Sequence, residues 1–258
     1  MSSCPPIVLT FAASDPTGGA GLQADLLTLA AMRCHPLSVL TAITVQDTRG
    51  VESMQAVEAE RVRAQADLLL AETRVAAFKI GVLGSALNIR AVAAILEEHP
   101  DVPVVLDPVL ASGRGDPLSD EPMLEALREQ LVPQSTVVTP NSIEARRLGG
   151  AAALLDAGCE FVLLTGTHEP GDEVVNVLYD RGGIVREDRW PRLAGSYHGS
   201  GCTLASAIAA GLAHGRGVAD AVREAQDYTW QALAAGFCTG AGQLLPDRFF
   251  WAGEAAGK

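Results

Sequence analysis

The 258-residue chain is 48% apolar and 19% charged, a balance that builds a substantial buried core. Its net charge of −12 argues against the clustered cations that grip nucleic acid or an anionic membrane, so small molecules are the expected partners. Only two lysines occur, Lys79 and Lys258, so a phosphate site must draw mainly on backbone N–H groups, arginine or a metal.

Taken in chain order, short apolar runs alternate with helical patterns. A strand is predicted at 7–12 and a helix at 22–32, then a strand at 37–45 and a helix at 59–71. The pairs 77–82 with 86–97, 102–106 with 122–131, and 136–138 with 143–148 continue the alternation. A further strand at 161–165 is followed by a hairpin, 174–179 and 184–187, turning at Arg181-Gly-Gly. Two helices, 202–214 and 218–236, close the pattern. Such βαβ alternation calls for an α/β fold with a mostly parallel sheet covered on both faces and an antiparallel edge hairpin. With no linker, repeat or low-complexity tract, residues 1–258 read as one domain. Five scattered cysteines without CxxC spacing, no basic leader and no long apolar segment point to a soluble protein of the cytoplasm.

Ligands of open α/β sheets collect at the carboxyl ends of the strands. The residues there are Ser14-Asp15, Gln46-Asp47, Gly81, Asp107-Pro108, Thr139-Pro140-Asn141 and Thr165-Gly166. The loop Gly199-Ser200-Gly201 opens a helix at Cys202, whose free N–H groups and dipole make an anion site. The same field lowers the thiol pKa, so Cys202 suits the removal of a proton from an attacking hydroxyl. The alternative is a glycine turn followed by a small buried cysteine. Asp107 and Glu144 can face one cleft and hold Mg²⁺ through waters; taken by itself, Glu144 at a helix start reads better as a solvated acid. His198 and His168 suit capping or turn roles better than catalytic ones. Gly19-Ala-Gly21-Leu-Gln-Ala24 matches a dinucleotide fingerprint, but the six residues 13–18 separate it from its strand and spoil the register. No Walker A, HExxH or GxSxG motif occurs.

The stretches Ser14-Asp-Pro-Thr-Gly-Gly-Ala-Gly-Leu-Gln-Ala-Asp25, Val45-Gln-Asp-Thr-Arg-Gly-Val51, Lys79-Ile-Gly81, Asp107-Pro-Val109 with Gly115-Asp-Pro-Leu118, Thr139-Pro-Asn141 with Glu144, and His198-Gly-Ser-Gly-Cys-Thr203 occur in that order. Together they resemble the hydroxymethylpyrimidine/phosphomethylpyrimidine kinases of thiamin biosynthesis, within the ribokinase-like superfamily. The resemblance implies a three-layer α/β/α sandwich without a separate lid sheet, usually a homodimer. It implies phosphorylation of 4-amino-5-hydroxymethyl-2-methylpyrimidine, and of its monophosphate, with ATP, Mg²⁺ and a monovalent cation as candidate cofactors. It assigns Gly199, Ser200, Gly201 and Cys202 to the phosphoryl cradle and base, and Asp107 and Glu144 to the metal. Asn141, Thr165 and Gly166 fall to the nucleotide. Ala13, Ala20, Asp25, Thr44, Gln46 and Val82 fall to the pyrimidine. Related kinases with the same loop act on pyridoxal-type alcohols, and a non-catalytic pyrimidine-binding module is the third reading.

The pattern is broken in three places. Thr165-Gly-Thr-His168 stands where the family reads Lys-Gly-Gly-His, so phosphate neutralisation falls on Mg²⁺ and Arg114, with weaker ATP binding or slower turnover expected. The segment 149–157 is about one helix short. Ala13 and Val82 replace a glycine and a methionine of the pyrimidine pocket.

Overall fold

The computed structural model describes residues 4–111, 115, 116 and 118–255, with side chains up to 252. Arg114 lies outside the described residues. The strands are β1 (Ile7–Ser14), β2 (His35–Asp47), β3 (Gly50–Ala56), β4 (Ala77–Ile80), β5 (Val104–Leu106), β6 (Val137–Val138), β7 (Phe161–Leu164), β8 (Glu173–Asp180) and β9 (Gly183–Pro191). They form one sheet in the order β3-β2-β1-β4-β5-β6-β7-β8-β9. From β2 to β7 all neighbours run parallel, and β3 and the β8–β9 hairpin are antiparallel at the two edges.

Alternation along β1 explains the layering. Leu9 and Phe11 join a core with Phe78, Ile80, Ile89 and Val92, under helices α2 (Ala59–Glu72) and α3 (Ala86–Glu97). Val8 points the other way, into a core with Ala77, Val105, Leu29, Ile208 and Val222. That second layer is α1 (Gly21–Ala31), α7 (Ser200–Ala213) and α8 (Val218–Ala234). The result is the expected three-layer α/β/α sandwich. Small residues let α7 lie close: Ala205, Ala207, Ala209 and Ala210 are buried, and Gly211 packs against Ala221 of α8. This seats the amino end of α7 over the central strand ends.

The structure adds elements that the alternation did not reveal. β3 is an edge strand with a mostly exposed face, so its sequence carries no hydrophobic run. The helix expected at 122–131 stops as α4 (Glu121–Ala126) and continues as a wider turn, 127–131, then a tight turn, 132–134. Short α5 (Ser142–Arg147) is followed by α6 (Gly150–Ala157), so the shortened segment still supplies eight helical residues. α9 (Phe250–Ala255) closes the described chain. Among the described residues no helix is long and apolar enough to cross a membrane.

Candidate active site

The carboxyl ends of the parallel strands and the first turn of α7 line one cleft of about 550 Å³. The register between β1 and β2 shifts at Ala12/Ala13, where β2 carries the extra residue Thr41, and Ala13 and Ser14 at the end of β1 line the cleft. Ala13, Ala20, Thr44, Gln46 and Val82 line one end; Thr165, Thr167, His168, Trp190 and Arg192 belong to the other. Between them lie Asp107, Asn141, Glu144 and Gly199 to Cys202. The far-separated motifs therefore share one cavity.

The phosphate-cradle candidate is built by two loops pressed together. Gly199 caps α7 at φ +83°, and a Cβ there would overlap the carbonyl oxygen of Gly19, so neither a side chain nor another backbone shape fits. Thr203 N–H makes the first intrahelical bond, to Gly199 O at 3.0 Å, and the N–H groups of Ser200, Gly201 and Cys202 precede it. His198 Nε2 lies 2.8 Å from Asp15 Oδ2 and ties the two loops a second time. Asp15 also accepts from the N–H groups of Ala20 and Thr17. Burial works against its charge, but the bonds from His198, Ala20 and Thr17 hold its carboxyl below the ordinary value. The histidine therefore does more than end a turn: it is a cross-loop brace.

Below the cleft sits a buried charge cluster. Asp25 and Lys79 are both fully buried and paired at 2.9 Å, and Thr10 Oγ1 and Ser206 Oγ also donate to Asp25, at 2.6 and 2.8 Å. Asp25 consequently does not line the cleft, against the expectation that it binds the pyrimidine. It faces inward from α1 because β1, β4 and α7 each offer it a donor. Burial opposes charge on Lys79, yet Asp25, with Cys202 and Asp107 behind it, holds the ammonium well above the usual lysine value.

Cys202 lies in the cleft beside Asp107, as the shared-cavity reading requires, but its thiol behaves otherwise than expected. Burial, reinforced by Asp107 and Asp25, pushes it up to about 12, and Lys79 and the Gly21 N–H only partly oppose this. The helix-terminus field is outweighed by desolvation and by two carboxylates.

Glu144 is not a solvated acid. It is buried, and forms a capping box in which Asn141 Oδ1 accepts from the N–H of Glu144 at 2.9 Å while Glu144 Oε2 accepts from the N–H of Asn141 at 2.9 Å. Its Oε1 accepts from Leu110 N–H at 3.3 Å. Burial, then the neighbouring Asp107, raises Glu144 to about 7; burial and Asp25 raise Asp107 to about 6. Asp107 Oδ2 is buried with no hydrogen-bond partner. Two adjacent, desolvated carboxyls that line the cleft, one with an oxygen no hydrogen bond uses, fit a hard divalent cation brought in with phosphate oxygens. They do not form a dedicated cage, since no group of three or more His, Cys, Asp or Glu side chains among the described residues is placed to hold a metal alone.

At the far end, Thr165 N–H donates to Pro140 O at 3.0 Å, joining the ends of β6 and β7. Gly166 does not line the cleft: its N–H donates to Asn176 Oδ1, and its Cα is pressed against the Val175 carbonyl. The expected nucleotide contact at that residue is thus replaced by a packing role. Asn176 in turn donates to Gln226 Oε1, which also accepts from Trp190 Nε1, while Gln226 Nε2 donates to Asp188. Arg192 is the one Lys or Arg among the described residues lining the cleft. Its guanidinium donates to the carbonyls of Thr167, Glu169, Gly171 and Glu173, wrapping the loop after β7. Arg192 was invisible to motif reading, because what it binds is backbone.

The sequence pattern of the phosphomethylpyrimidine kinase family matches residues 15–247. The chain belongs to that family. Among curated relatives, a hydroxymethylpyrimidine/phosphomethylpyrimidine kinase of Streptomyces coelicolor is 44% identical over 254 residues, 92% of each chain. The Escherichia coli protein of the same name is 37% identical, over 88% of this chain and 90% of its own. Among solved structures, an ADP complex of Bacillus subtilis pyridoxal kinase superposes with TM-score 0.88 at 28% identity, over 96% of this chain and 99% of that one. Phosphomethylpyrimidine kinase of Clostridium difficile gives 0.77 at 32% identity, over 88% and 99%. The family is one of phosphotransferases, and the ribokinase-like fold inferred from the motifs is the fold found.

Proposed function

We propose that this phosphomethylpyrimidine kinase family member transfers the γ-phosphoryl group of ATP to the hydroxymethyl group of 4-amino-5-hydroxymethyl-2-methylpyrimidine, and then to the resulting monophosphate, in thiamin biosynthesis. The observation that carries this reading is the single cleft joining a small apolar end, an amide cradle with Cys202, and the wider end lined by Trp190 and Arg192. In it, Ala13, Ala20 and Val82 pack the pyrimidine ring, and the Gln46 amide offers one donor and one acceptor to an aminopyrimidine edge. Thr44 serves by holding the wall, since its hydroxyl donates to Ser14 O. The hydroxymethyl oxygen attacks the γ-phosphorus, the bond from phosphorus to the ADP oxygen breaks, and the hydroxyl proton passes to Cys202 in its thiolate form, the thiol's own proton having left to water beforehand. With the thiol held near 12 that thiolate is a minor form at neutral pH, but it is a strong base for the alcohol. The N–H groups of Ser200, Gly201 and Cys202 hold the moving phosphoryl oxygens. Asp107, with Glu144 behind it, would hold Mg²⁺, which when bound neutralises phosphate charge. Orienting alcohol and phosphate is the main contribution of the fold, an effect that reaches about 7–11 kcal/mol.

Incubating the protein with ATP, Mg²⁺ and the pyrimidine alcohol, and following mono- and diphosphate by mass spectrometry, tests the reading; no product from folded, nucleotide-binding protein defeats it. The high superposition on pyridoxal kinase supports a second substrate reading. Offering the pyrimidine alcohol and pyridoxal at equal concentration separates them, with the pyrimidine expected to be consumed first because the kinases of that name are 37–44% identical to this chain and the pyridoxal kinase 28%. A homodimer is also part of the proposal, supported by the exposed Ile43 and Val45 beside the edge strand β3, 52% and 55% exposed; light scattering behind a sizing column tests it. A cytoplasmic location completes the reading.

A further inference from the structure

Arg248 lies beyond the last residue matched by the family pattern, yet it reaches back into the heart of the site. Its residue is only 4% exposed, and among the described residues it makes no ion pair with a carboxylate. The guanidinium spends its donors on uncharged acceptors instead: Gly19 O at 2.6 Å, Gly18 O at 3.4 Å and Thr203 Oγ1 at 3.2 Å. Burying an arginine on carbonyl and hydroxyl oxygens alone is costly unless the geometry it enforces is needed. Each acceptor belongs to the cradle. Gly19 O is the atom against which Gly199 is pressed, and Thr203 Oγ1 donates onward to Gly199 O at 2.8 Å. Tyr228, on α8, fixes the arginine from behind by donating to its carbonyl at 2.9 Å.

We infer that Arg248 is a positioning residue for phosphoryl transfer, clamping the Gly18–Gly19 loop to the first turn of α7 and placing a buried positive charge behind the amide cradle. The inference rests on the kinase reading above and goes beyond it by naming a residue from the carboxyl-terminal segment that touches neither alcohol nor nucleotide. A chain nearly devoid of lysine thereby gains cationic support for the transferred group without exposing a cation that would bind the ground-state substrate equally well.

The test compares Arg248→Met, which keeps length and apolar bulk, with Arg248→Lys, which keeps charge. A loosened cradle predicts kcat about tenfold to a hundredfold lower for the methionine variant, with KM for ATP within about threefold, since sub-ångström misplacement near the reacting atoms costs rate more than ground-state binding. The lysine variant should recover part of kcat. Thr203→Val removes one acceptor and the side-chain bond to Gly199 O while keeping the backbone one, gives a smaller loss in the same direction, and serves if Arg248→Met does not fold. Hydrogen exchange read by mass spectrometry supplies an outcome independent of turnover: peptides covering 15–22 and 198–204 should exchange faster in the variants while peptides from β4 and α3 do not change. Unchanged kcat and unchanged exchange in folded variants would overturn the inference. If wild-type protein makes no product from either alcohol, the kinase reading fails and the exchange experiment still decides the clamp.

Discussion

The two ends of the cleft are held in place by different physics. At the cradle, position is set by backbone pressed on backbone and by buried charge: Gly199 on Gly19, Asp15 on His198, Asp25 on Lys79. At the far end it is set by amide side chains and one arginine, with Asn176, Gln226 and Trp190 bonded in series and Arg192 wrapped by loop carbonyls. The first arrangement tolerates almost no displacement; the second can adjust, because the 167–173 loop is mostly exposed. Changes at the cradle should therefore appear in kcat, and changes at the far end in KM for ATP.

The sharpest way to break that division is at the sulfur. Cys202→Ala should lower kcat by about 10²–10⁴-fold while KM for ATP moves by no more than about threefold, measured by steady-state kinetics on the pyrimidine alcohol. A variant with normal kcat would return Cys202 to a packing role and take the cradle's special status with it.

A second test uses the two raised carboxyls between the ends. Glu144 at about 7 and Asp107 at about 6 lie above their ordinary values, so the folded state binds more protons than the unfolded chain between about pH 4 and 7. Their protonation thus stabilises the ligand-free protein at acid pH, and that stability is lost as pH rises through the folded pKa values. The loss should be about 3 kcal/mol for Glu144, discounted for its coupling to Asp107. Urea midpoints should fall between pH 5 and pH 7.5, and Mg²⁺ with ATP should restore much of the loss. A midpoint that rises over that range would contradict the assigned burial of these groups.

The division also explains what could be read from the sequence. Strands such as 7–12 and 77–82 declare themselves because both faces are buried, and the residues that follow them mark the cleft without further information. β3 has one solvated face and α6 opens on two glycines, so neither carries a clear period. Among site residues, those on strand-end motifs line the cleft, except Gly166, which packs against β8 instead. Asp25 shared a motif with them but sits on the inner face of α1, and only the three donors contributed by β1, β4 and α7 reveal its task. Glu144 looked like an exposed helix-start acid because a capping box and a buried one share the same letters. Arg192 and Arg248 act on carbonyl oxygens, which every residue possesses, so no side-chain pattern announces them.

At the far end Arg192→Ala should raise KM for ATP by about tenfold, since it removes several charge-assisted bonds, each worth about 1.5–3 kcal/mol when intact, from a loop that water can partly satisfy. Its kcat should stay within about threefold of wild type, by the same reasoning that made the alanine variant of Cys202 act on kcat alone. An equal fall in kcat would mean that the loop orients the γ-phosphate and that the division between the ends is false.

The smallest effect is expected at Gln226, and it is the most diagnostic of how the far end is built. Leucine at that position keeps the bulk but leaves Asn176 Nδ2 and Trp190 Nε1 without their shared acceptor, and Asp188 without one donor. Unpaired buried polar groups cost about 1–3 kcal/mol, so the melting temperature should fall by several degrees. Asp188 retains the two bonds from Arg186, at 2.7 and 2.9 Å, and Arg223 stays over the Trp190 ring at 4.5 Å, which limits the damage. Trp190 fluorescence should shift as its indole N–H turns to water. Glutamate at the same position keeps an acceptor for both donors but sets a second carboxylate against Asp188, so it should restore the fluorescence without restoring the stability. If leucine leaves both the emission and the ATP KM untouched, the series of amides is filler between β8 and α8, and Arg192 alone shapes that end.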